Sequence, residues 1–592
     1  MPLKIEDYAM IGDGQSAALV GRNGSIDWLC WPRFDSDACF AALLGREEHG
    51  CWMIAPEGRV SASTRAYLGN TLVLATEFTT PAGTVRMVDF MPIRRGESSA
   101  IIRIVSGLAG TVAMRSELKL RFNYGSIAPW LSEKDGAIVG TVGPDLVAIR
   151  SDIALTCNKE TISTCFDVHA GERISFTLQY GPSNGPLPPP LDVDRLLTDT
   201  KAWWLSWISQ FDRTTEWPEF VKRSLIILKA LTYFPTGGIV AAPTASLPER
   251  PGGSWNWDYR YCWLRDATFM MSAFLNAGFT NEARDWLQWL FRAVAGTPDR
   301  IRIAYRIDGG RRLEEWQADW LPGYGGARPV RIGNRAASQR QLDIFGELLD
   351  SSHLAEHSGL KPDEWELEIE QRLVLHVMKI WRQPDQGLWE SRSAAKHYVY
   401  SKVMAWVAVD RFLTLANAKS NCPAELKKKL HKLRDEMHRE ICRRGFSQKR
   451  NSFVKHYHSC QLDASLLLLP LVGFLPVDDP RMAGTIAAIE AELTEGGLVR
   501  RYKASRFGRE EGVFIACSCW LADCLVLQGR HDDARRLISR IIALANDVGL
   551  LSEEYHLRQG QLLGNMPQAL SHLALVNSIL GLSGPVLQRG AP

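Results

Sequence analysis

The chain has 592 residues, with 69 basic and 66 acidic side chains and an apolar content of 46%. This length exceeds what one ordinary hydrophobic core holds, so we expect two or more domains or one very large layered fold. The net charge of +3 and the lack of long runs of like charge argue against nucleic acid or an anionic membrane as a partner.

The cysteines and the first residues indicate a reducing compartment. Twelve cysteines are scattered without the paired spacing of a metal site, which predicts packed, reduced thiols rather than zinc ligands or disulfides. Residues 1–6 contain no apolar signal core, and no stretch approaches the roughly eighteen uncharged apolar residues of a membrane span. We therefore expect a cytoplasmic protein, and the oligomeric state stays open.

The first third of the chain has the pattern of β-strands. Between Cys51 and Tyr180, short runs rich in β-branched residues alternate with Gly, Pro and polar turns, which predicts an antiparallel β-sandwich. The proline-rich segment 182–190 ends this pattern, because proline cannot donate to a β-ladder and favours an extended linker. We predict an N-terminal β-sandwich domain over residues 1–190 and a helical linker over residues 191–216.

From residue 217 to the end of the chain the apolar period is helical, which predicts a second domain over residues 217–592. Twelve helices are expected, at residues 217–234, 263–278, 280–297, 335–351, 363–382, 400–416, 424–444, 460–471, 480–494, 511–529, 531–547 and 567–581. Twelve helices form six hairpins, which could close into a double ring. The loops that precede the even-numbered helices are long and carry aromatic and charged residues. If consecutive helices are antiparallel, all six loops open at the same end.

The densest of these loops, residues 254–266, contains five aromatic residues within nine positions, with two arginines and two aspartates between them. Aromatic faces stack on flat apolar surfaces, and Arg–Asp pairs supply oriented donors and acceptors. A sugar ring presents C–H faces ringed by hydroxyl groups, so the mixture suits a saccharide site. An aromatic core cluster with a buried ion pair is the alternative. Residues 27–35 have a similar content and could either belong to the β-domain core or reach the same site.

Three acidic residues in these loops stand beside aromatic or hydroxyl side chains, namely Asp266, Glu390 and Glu553. Glycoside hydrolysis requires one carboxylic acid to protonate the leaving oxygen and a second carboxylate to activate water or attack. Glu390 follows Trp389, and an apolar wall there would raise its pKa and suit a general acid. Glu553 follows Ser552, whose hydroxyl would keep the carboxylate ionised as a base. Spacing alone leaves open that these are unrelated surface glutamates.

Seven stretches carry a family resemblance, and they follow one another along nearly the whole chain. They are residues 24–35, 255–266, 328–334, 387–390, 511–514, 552–555 and 564–569. In these stretches the chain resembles glycoside hydrolase family 15, the glucoamylase and trehalase family, and specifically its bacterial trehalase-like branch. The resemblance implies an N-terminal antiparallel β-sandwich followed by an (α/α)6 barrel, and an inverting, exo-acting hydrolase that releases glucose without a cofactor or metal.

The resemblance also implies roles for individual residues. Glu390 corresponds to the general acid and Glu553 to the general base, with Glu554 as second choice for the base. Binding of the terminal glucose is assigned to Arg265, Asp266, Trp263, Leu388, Trp389, Arg501, Tyr502, Arg328 and Glu554. Two segments depart from the family pattern: residues 391–394 lack the expected glycine, and His556 stands where Asp-Pro is more usual. These departures bear on the substrate rather than on the chemistry.

We therefore predict an inverting glycoside hydrolase with a small α-glucoside as substrate, and favour α,α-trehalose over α-1,4- or α-1,6-glucans. Inversion requires the two carboxyl groups to be roughly 6.5–9.5 Å apart, so that water fits between the base and the anomeric carbon. Two alternatives belong to other classes. A phosphorylase would replace the base by a phosphate site, and a non-catalytic sugar-binding protein would keep the aromatic floor and lose a carboxylate.

Overall fold

A computed structural model describes residues 2–96, 98–158, 160–419, 422–503, 511–584 and 586. In its first part, fifteen of the described strands are joined in one antiparallel hydrogen-bonded network, as predicted. These are β1 Tyr8–Gly12, β2 Ala17–Gly21, β3 Ser25–Cys30, β4 Ala38–Phe40, β5 Cys51–Pro56, β6 Ala62–Tyr67, β7 Leu74–Thr80, β8 Gly83–Phe90, β9 Ser99–Lys119, β10 Trp130–Lys134, β11 Ala137–Val142, β12 Asp145–Ser151, β13 Thr156–Asn158, β14 Thr161–His169 and β15 Arg173–Pro182.

Strand β9 joins the two layers of this β-structure. Its first half pairs with β8 and β15, and its second half pairs with β5 and β14. The partners change at Gly110, which has a φ of +68° and where a Cβ atom would lie 2.1 Å from the carbonyl oxygen of Ala82. Glycine at this position therefore lets a single strand pass from one layer into the other.

Helices dominate the rest of the described chain. They are α1 Val193–Ile208, α2 Pro218–Ala230, α3 Ala267–Asn276, α4 Thr280–Val294, α5 Asp343–His357, α6 Glu364–Ile380, α7 Val399–Lys419, α8 Ala424–Gly445, α9 Leu468–Leu471, α10 Pro480–Leu493, α11 Ile515–Leu527, α12 His531–Ile542 and α13 Ala569–Ser583. Short strands pair in the connecting loops: β16 Thr232–Tyr233, β17 Gly238–Ile239, β18 Ala245–Pro248, β19 Asn256–Asp258, β20 Cys262–Trp263, β21 Ala304–Tyr305, β22 Trp316–Gln317, β23 Arg331–Ile332, β24 Phe446–Ser447, β25 Ser452–Phe453, β26 Thr494–Glu495, β27 Leu498–Val499, β28 Val513–Phe514, β29 Glu554–His556 and β30 Gln561–Leu563.

Helices α2 to α13 form a closed double ring. Contacts run from α3 to α5, α7, α9, α11 and α13 and back to α3, so these six helices form the inner ring, and the remaining six pack around them. The sequence dictates this division. Every residue of α3 is buried, whereas α12 buries only one apolar stripe. A helix that is apolar on all sides must be surrounded by protein, and an amphipathic helix can face solvent. The predicted (α/α)6 barrel is confirmed.

Helix α5 begins eight residues later than the sequence pattern predicts. Residues 335–338 form a 3-10 turn, and the next residues pair with the loop before α7 instead of continuing into the helix. The backbone N–H of Gln386 donates to the carbonyl of Arg340 at 3.1 Å, and that of Leu342 donates to the Asp385 carboxylate at 3.0 Å. These backbone groups therefore form hydrogen bonds between the loops before α5 and α7 instead of within a helix. The apolar period of the sequence does not show such a pairing.

The β-structure packs against the loop before α3. The fully buried Arg260 guanidinium forms a salt bridge with Asp258 at 2.6 Å and donates to the carbonyl of Ser36 at 2.6 Å and the hydroxyl of Tyr124 at 2.8 Å. The indole N–H of Trp28 donates to the carbonyl of Pro243 at 2.8 Å. Residues of the β-part thus support this loop from behind.

Candidate active site

A cavity of about 270 Å³ opens among the loops that precede the inner helices. Five of the six loops predicted to converge contribute to its wall, namely those before α3, α5, α7, α11 and α13. Its lining consists of Glu249, Trp255, Trp257, Tyr259, Arg265, Asn334, Ala336, Trp389, Glu390, Ser391, Arg392, Arg501, Tyr502, Phe514 and Glu553. None of residues 27–35 is part of this lining. That segment supports the wall from outside, through Trp28.

Glu390 is held in an unusual backbone conformation at one side of the cavity. Its φ is +53°, a region that costs about 1 kcal/mol or more for a residue with a side chain. Two contacts fix it there. The Glu390 N–H donates to the carbonyl of Gly387 at 3.0 Å, and the Gln339 amide donates to the Glu390 carbonyl at 3.1 Å. The sequence 387–390 therefore forms a rigid turn that directs the carboxyl group into the cavity.

Two donors bind the same oxygen of the Glu390 carboxyl group. Oε1 accepts from the Trp263 indole N–H at 2.7 Å and from the Arg265 guanidinium at 3.1 Å. Burial nevertheless raises the pKa of Glu390 above its ordinary value, against the lowering effects of Arg265 and Trp263. Oε2 takes no part in these two bonds. A glutamate that retains its proton in an enclosed site can donate that proton to a bound substrate.

Glu553 lies in the same cavity and is 2% exposed. Its Oε1 accepts from the Tyr259 hydroxyl at 2.7 Å. The prediction that Ser552 holds this carboxylate is wrong, because the Ser552 hydroxyl donates to the carbonyl of Glu554 at 2.8 Å. Burial and the nearby charge of Glu249 raise the pKa of Glu553 to about 8. One hydrogen bond from Tyr259 does not offset this loss of solvation.

The second oxygen of Glu553 rests against a glycine. Oε2 is buried and, among the described residues, has no hydrogen-bond partner. It faces Gly564, whose φ is +75° and where a Cβ atom would lie 2.7 Å from Oε2. Glycine at position 564 therefore creates the space in which the Glu553 side chain lies, and Oε2 remains free to accept a proton.

Aromatic side chains connect the two glutamates. Tyr259, which binds Glu553, contacts Trp263 with ring centroids 5.4 Å apart in an edge-to-face arrangement. Trp263 in turn binds Glu390. The loop before α3 thus positions both carboxyl groups, although they are separated by more than 160 residues in the sequence.

Arg501 occupies another part of the cavity wall, surrounded by acidic residues. Its Nη2 lies 2.5 Å from Glu249, 2.7 Å from Glu511 and 3.0 Å from Glu554. Glu554 is fully buried, accepts the backbone N–H of Gly512 at 3.0 Å and does not line the cavity. Its position is that of a partner for Arg501, so the structure gives more support to Glu553 than to Glu554 as a base.

The other predicted substrate-binding residues, apart from Arg328, lie either on the cavity wall or behind it. Trp263 is 2% exposed and lies behind the wall, where it donates to Glu390. Arg265, Trp389 and Tyr502 line the cavity. Asp266 and Leu388 are buried behind it: the Asp266 carboxylate accepts from Arg265 at 2.9 Å, and the Leu388 carbonyl accepts from the same guanidinium at 3.3 Å. They hold Arg265 rather than face the cavity.

Arg328 is placed elsewhere. Its exposed side chain lies beside a separate shallow pocket that also contains Gln317 and Asp319, and its Nε donates to the carbonyl of Pro322 at 3.4 Å. The assignment of Arg328 to the sugar site came from its place in a matching stretch of sequence. Of residues 328–334, Asn334 is the one that lines the cavity.

Sequence reasoning missed Glu249, Tyr259, Asn334, Arg392 and Phe514 as lining residues. Glu249 stands between two prolines directly before the aromatic stretch, in the order Pro248-Glu249-Arg250-Pro251, and such an acid in a rigid turn is a usable signal. Tyr259 belongs to the aromatic stretch, and its hydroxyl acts as a hydrogen-bond donor to a glutamate 294 residues away, a pairing that the sequence does not show.

Within the described ranges, no group of three or more His, Cys, Asp or Glu side chains is arranged to hold a metal ion. In the same ranges, no helix combines the length and apolar character needed to cross a bilayer.

Known proteins resemble this chain along almost its whole length. The family model of glycosyl hydrolases family 15 matches residues 218–580, and the model of the trehalase-like N-terminal domain matches residues 1–181. A trehalase of Thermoplasma volcanium is 34% identical, over 99% of this chain and 94% of its own length. A trehalase of Mycobacterium tuberculosis is also 34% identical, over 97% of this chain and 89% of its own length.

A solved structure agrees with the fold. A bacterial glucoamylase complexed with acarbose superposes with a TM-score of 0.73 at 13% identity, covering 98% of this chain and 95% of that one. The double ring, the preceding β-structure and the two family models lead to one conclusion: this chain belongs to glycosyl hydrolases family 15 and is a glycosidase.

Proposed function

We propose that the protein hydrolyses α,α-trehalose to two glucose molecules with inversion at one anomeric carbon. The observation that carries the proposal is the pair of carboxyl groups, the half-buried Glu390 and the buried Glu553, on the wall of one small cavity. A volume of about 270 Å³ is at the lower limit of small-molecule sites, which run from roughly 300 to 1,000 Å³. A cavity of this size suits a short saccharide or the terminal units of a glucan chain.

In the proposed reaction, Glu390 is the general acid and Glu553 is the general base. Glu390 gives its proton to the glycosidic oxygen as the bond from that oxygen to the anomeric carbon breaks. Glu553 acts in its ionised form, whose population grows as the pH approaches its raised pKa of about 8. In this form it takes a proton from a water molecule, whose oxygen attacks the same carbon from the opposite face. From α,α-trehalose the products are one β-glucose and one α-glucose. The separation of the two carboxyl groups is expected to be roughly 6.5–9.5 Å with substrate bound.

The remaining residues of the cavity would bind and orient the sugar. Arg265, held by Asp266, supplies donors next to the proposed acid. Trp389 offers an aromatic face whose own N–H is occupied by Asp463 at 2.8 Å, so the ring presents an apolar surface. Two cations contact the ring of Trp257: the guanidinium carbons of Arg331 and Arg392 lie 4.6 and 4.2 Å from its centroid. Aromatic walls with a few fixed donors suit a sugar ring.

Trehalose is favoured because curated trehalases match this chain over nearly its full length. Hydrolysis is favoured over non-catalytic sugar binding, because binding alone would not require two carboxyl groups with raised pKa values in one cavity. It is favoured over phosphorolysis because a glutamate occupies the position where a phosphorylase would bind phosphate.

The test is a product assay on trehalose, maltose, isomaltose and soluble starch, with the anomer of the first glucose released followed by NMR. Cleavage of trehalose with one β-glucose per molecule is the expected result. Preference for maltose or starch would replace the proposed substrate by an α-glucan, formation of glucose 1-phosphate would show a phosphorylase, and release of α-glucose alone would contradict inversion.

A further inference from the structure

Glu249 is a third carboxylate on the wall of the cavity, and the proposed reaction leaves it without a role. The residue is 3% exposed and follows directly after β18. Its backbone N–H donates to the carbonyl of Trp255 at 3.1 Å, so its backbone is fixed to the loop that also carries Tyr259. Its side chain nevertheless lines the cavity together with Glu390 and Glu553.

Charge pairing with Arg501 does not by itself account for the carboxylate at position 249. One guanidinium contacts three carboxylates, Glu249, Glu511 and Glu554, and one positive charge cannot balance three negative charges in a buried site. Glu249 makes the shortest contact, at 2.5 Å. Burial raises the pKa of both Glu554 and Glu249, that of Glu554 more strongly. Arg501 opposes this effect and lies closer to Glu249 than to Glu554, so Glu249 is the one of the two that keeps its negative charge to lower pH.

The charge of Glu249 acts on both proposed catalytic groups. Among the charged neighbours of Glu553, Glu249 has the strongest effect that raises the pKa. Burial raises the pKa of Glu390 most, followed by Asp266 and then by Glu249, while Arg265 and Trp263 lower it. The other groups that face Glu553 are Tyr259, Arg265, Arg501 and Glu554. The effect of Glu249 on this pKa is opposed by Tyr259, Arg265 and Arg501. Of the two acidic neighbours, Glu249 and Glu554, only Glu249 lines the cavity.

We propose that Glu249 is a positioning residue for the reaction, which holds Arg501 at the cavity wall and keeps a negative charge beside Glu553 and Glu390. The inference rests on the proposed function. A negative charge near the base makes it a stronger proton acceptor, and the same charge near the acid lets it retain its proton to higher pH. Glu249 therefore shifts to higher pH the range in which both groups are in their active protonation states.

Glu511 provides a matched control. Its Oε1 accepts from Arg501 Nε at 2.9 Å and Nη2 at 2.7 Å, and its side chain is 7% exposed. It is therefore a buried partner of the same arginine, but it does not line the cavity. The variants Glu249→Gln and Glu511→Gln both remove a carboxylate from Arg501 and keep the size of the side chain.

The experiment compares the pH dependence of kcat/KM for the wild type and the two variants, on whichever α-glucoside the wild type cleaves. For Glu249→Gln we expect both limbs of the profile to move to lower pH by about one unit. For Glu511→Gln we expect less than a third of that displacement. Glu249→Asp keeps the charge and should return both limbs towards the wild type. Equal displacements in the two glutamine variants, or none in Glu249→Gln, would overturn the inference.

A second measurement needs no substrate. The pH dependence of the thermal midpoint reports the buried carboxyl groups directly, and Glu249→Gln should change it between pH 5 and 8 more than Glu511→Gln does. Equal changes would overturn the inference. If the wild type cleaves no α-glucoside, the proposed function fails by itself, while this comparison still decides whether Glu249 acts on the neighbouring carboxyl groups.

Discussion

Replacing Glu553 by Gln should abolish hydrolysis and, at the same time, stabilise the protein in a pH-dependent way. The pKa of Glu553 is about 8 in the folded chain, against an ordinary value of 4.5. Well below pH 4.5 the carboxyl group is protonated in both the folded and the unfolded chain, so it does not change the free energy of unfolding. As the pH rises from 4.5 to 8, the unfolded chain loses the proton while the folded chain holds it, so folding becomes less favourable.

The size of the effect follows from that difference. One unit of pKa corresponds to about 1.4 kcal/mol. The buried glutamate therefore lowers the free energy of unfolding by about 4 to 5 kcal/mol at pH 8 and by about 1 kcal/mol at pH 5. Glutamine has no charge to lose and keeps an oxygen for the Tyr259 hydroxyl. For a chain of this length the unfolding entropy is roughly 1.2 kcal/mol per degree, if it unfolds as one unit. The thermal midpoint should therefore rise by about 3–4 °C at pH 8 and by less than about 1 °C at pH 5.

Differential scanning calorimetry of the wild type and Glu553→Gln at pH 5, 6, 7 and 8 measures this directly. Glu511→Gln serves as the control, because loss of its charge removes a partner of Arg501 and should not raise the midpoint. A stabilisation of the Glu553 variant that is equal at all four pH values would refute the reasoning, since packing rather than proton binding would then be its cause.

Three further variants test the geometry of the site. Glu390→Gln should reduce turnover by at least roughly 100-fold, the lower end of the contribution of a general acid, while calorimetry still detects sugar binding; unaffected turnover would remove Glu390 as the acid. Gly564→Ala should displace the Glu553 side chain and lower kcat by roughly tenfold or more. The control Gly560→Ala introduces a side chain at a similar φ of +63°, but 3.6 Å from the nearest atom, so it should lower stability and leave kcat within about twofold of the wild type. Equal losses of kcat in the two variants would contradict a role for the space at Gly564. Trp263→Phe removes a hydrogen bond that lowers the pKa of Glu390, so the basic limb of the pH profile of kcat/KM should move to higher pH, and movement to lower pH would contradict the assigned contact.

The sequence was most informative where a repeated pattern determines the structure. The alternation of long, polar loops with short ones predicted which loops share one end of the helical ring, because antiparallel neighbours leave no other arrangement. Glu390 was found because it follows Trp389 in a stretch shared with a known family.

Pairings between distant side chains could not be read from the sequence. Tyr259 and Glu553 are 294 residues apart, and only the closure of the ring brings the hydroxyl to the carboxyl group. Ser552 is adjacent to Glu553 in sequence, but its hydroxyl donates to a backbone carbonyl. The pKa of Glu553 cannot be read from this neighbour, because desolvation depends on every surrounding group and not on the nearest one in the chain.

The contact between the β-structure and Arg260 limits how this enzyme can be recombined with its relatives. The guanidinium of Arg260 is 0% exposed, and two of its hydrogen-bond acceptors, the carbonyl of Ser36 and the hydroxyl of Tyr124, come from the β-part. A helical ring transplanted onto a foreign β-part would leave this charge buried with unsatisfied donors, at a cost of several kcal/mol. Chimeras should therefore fold only when the segments that carry Ser36 and Tyr124 are exchanged together with the loop that carries Arg260.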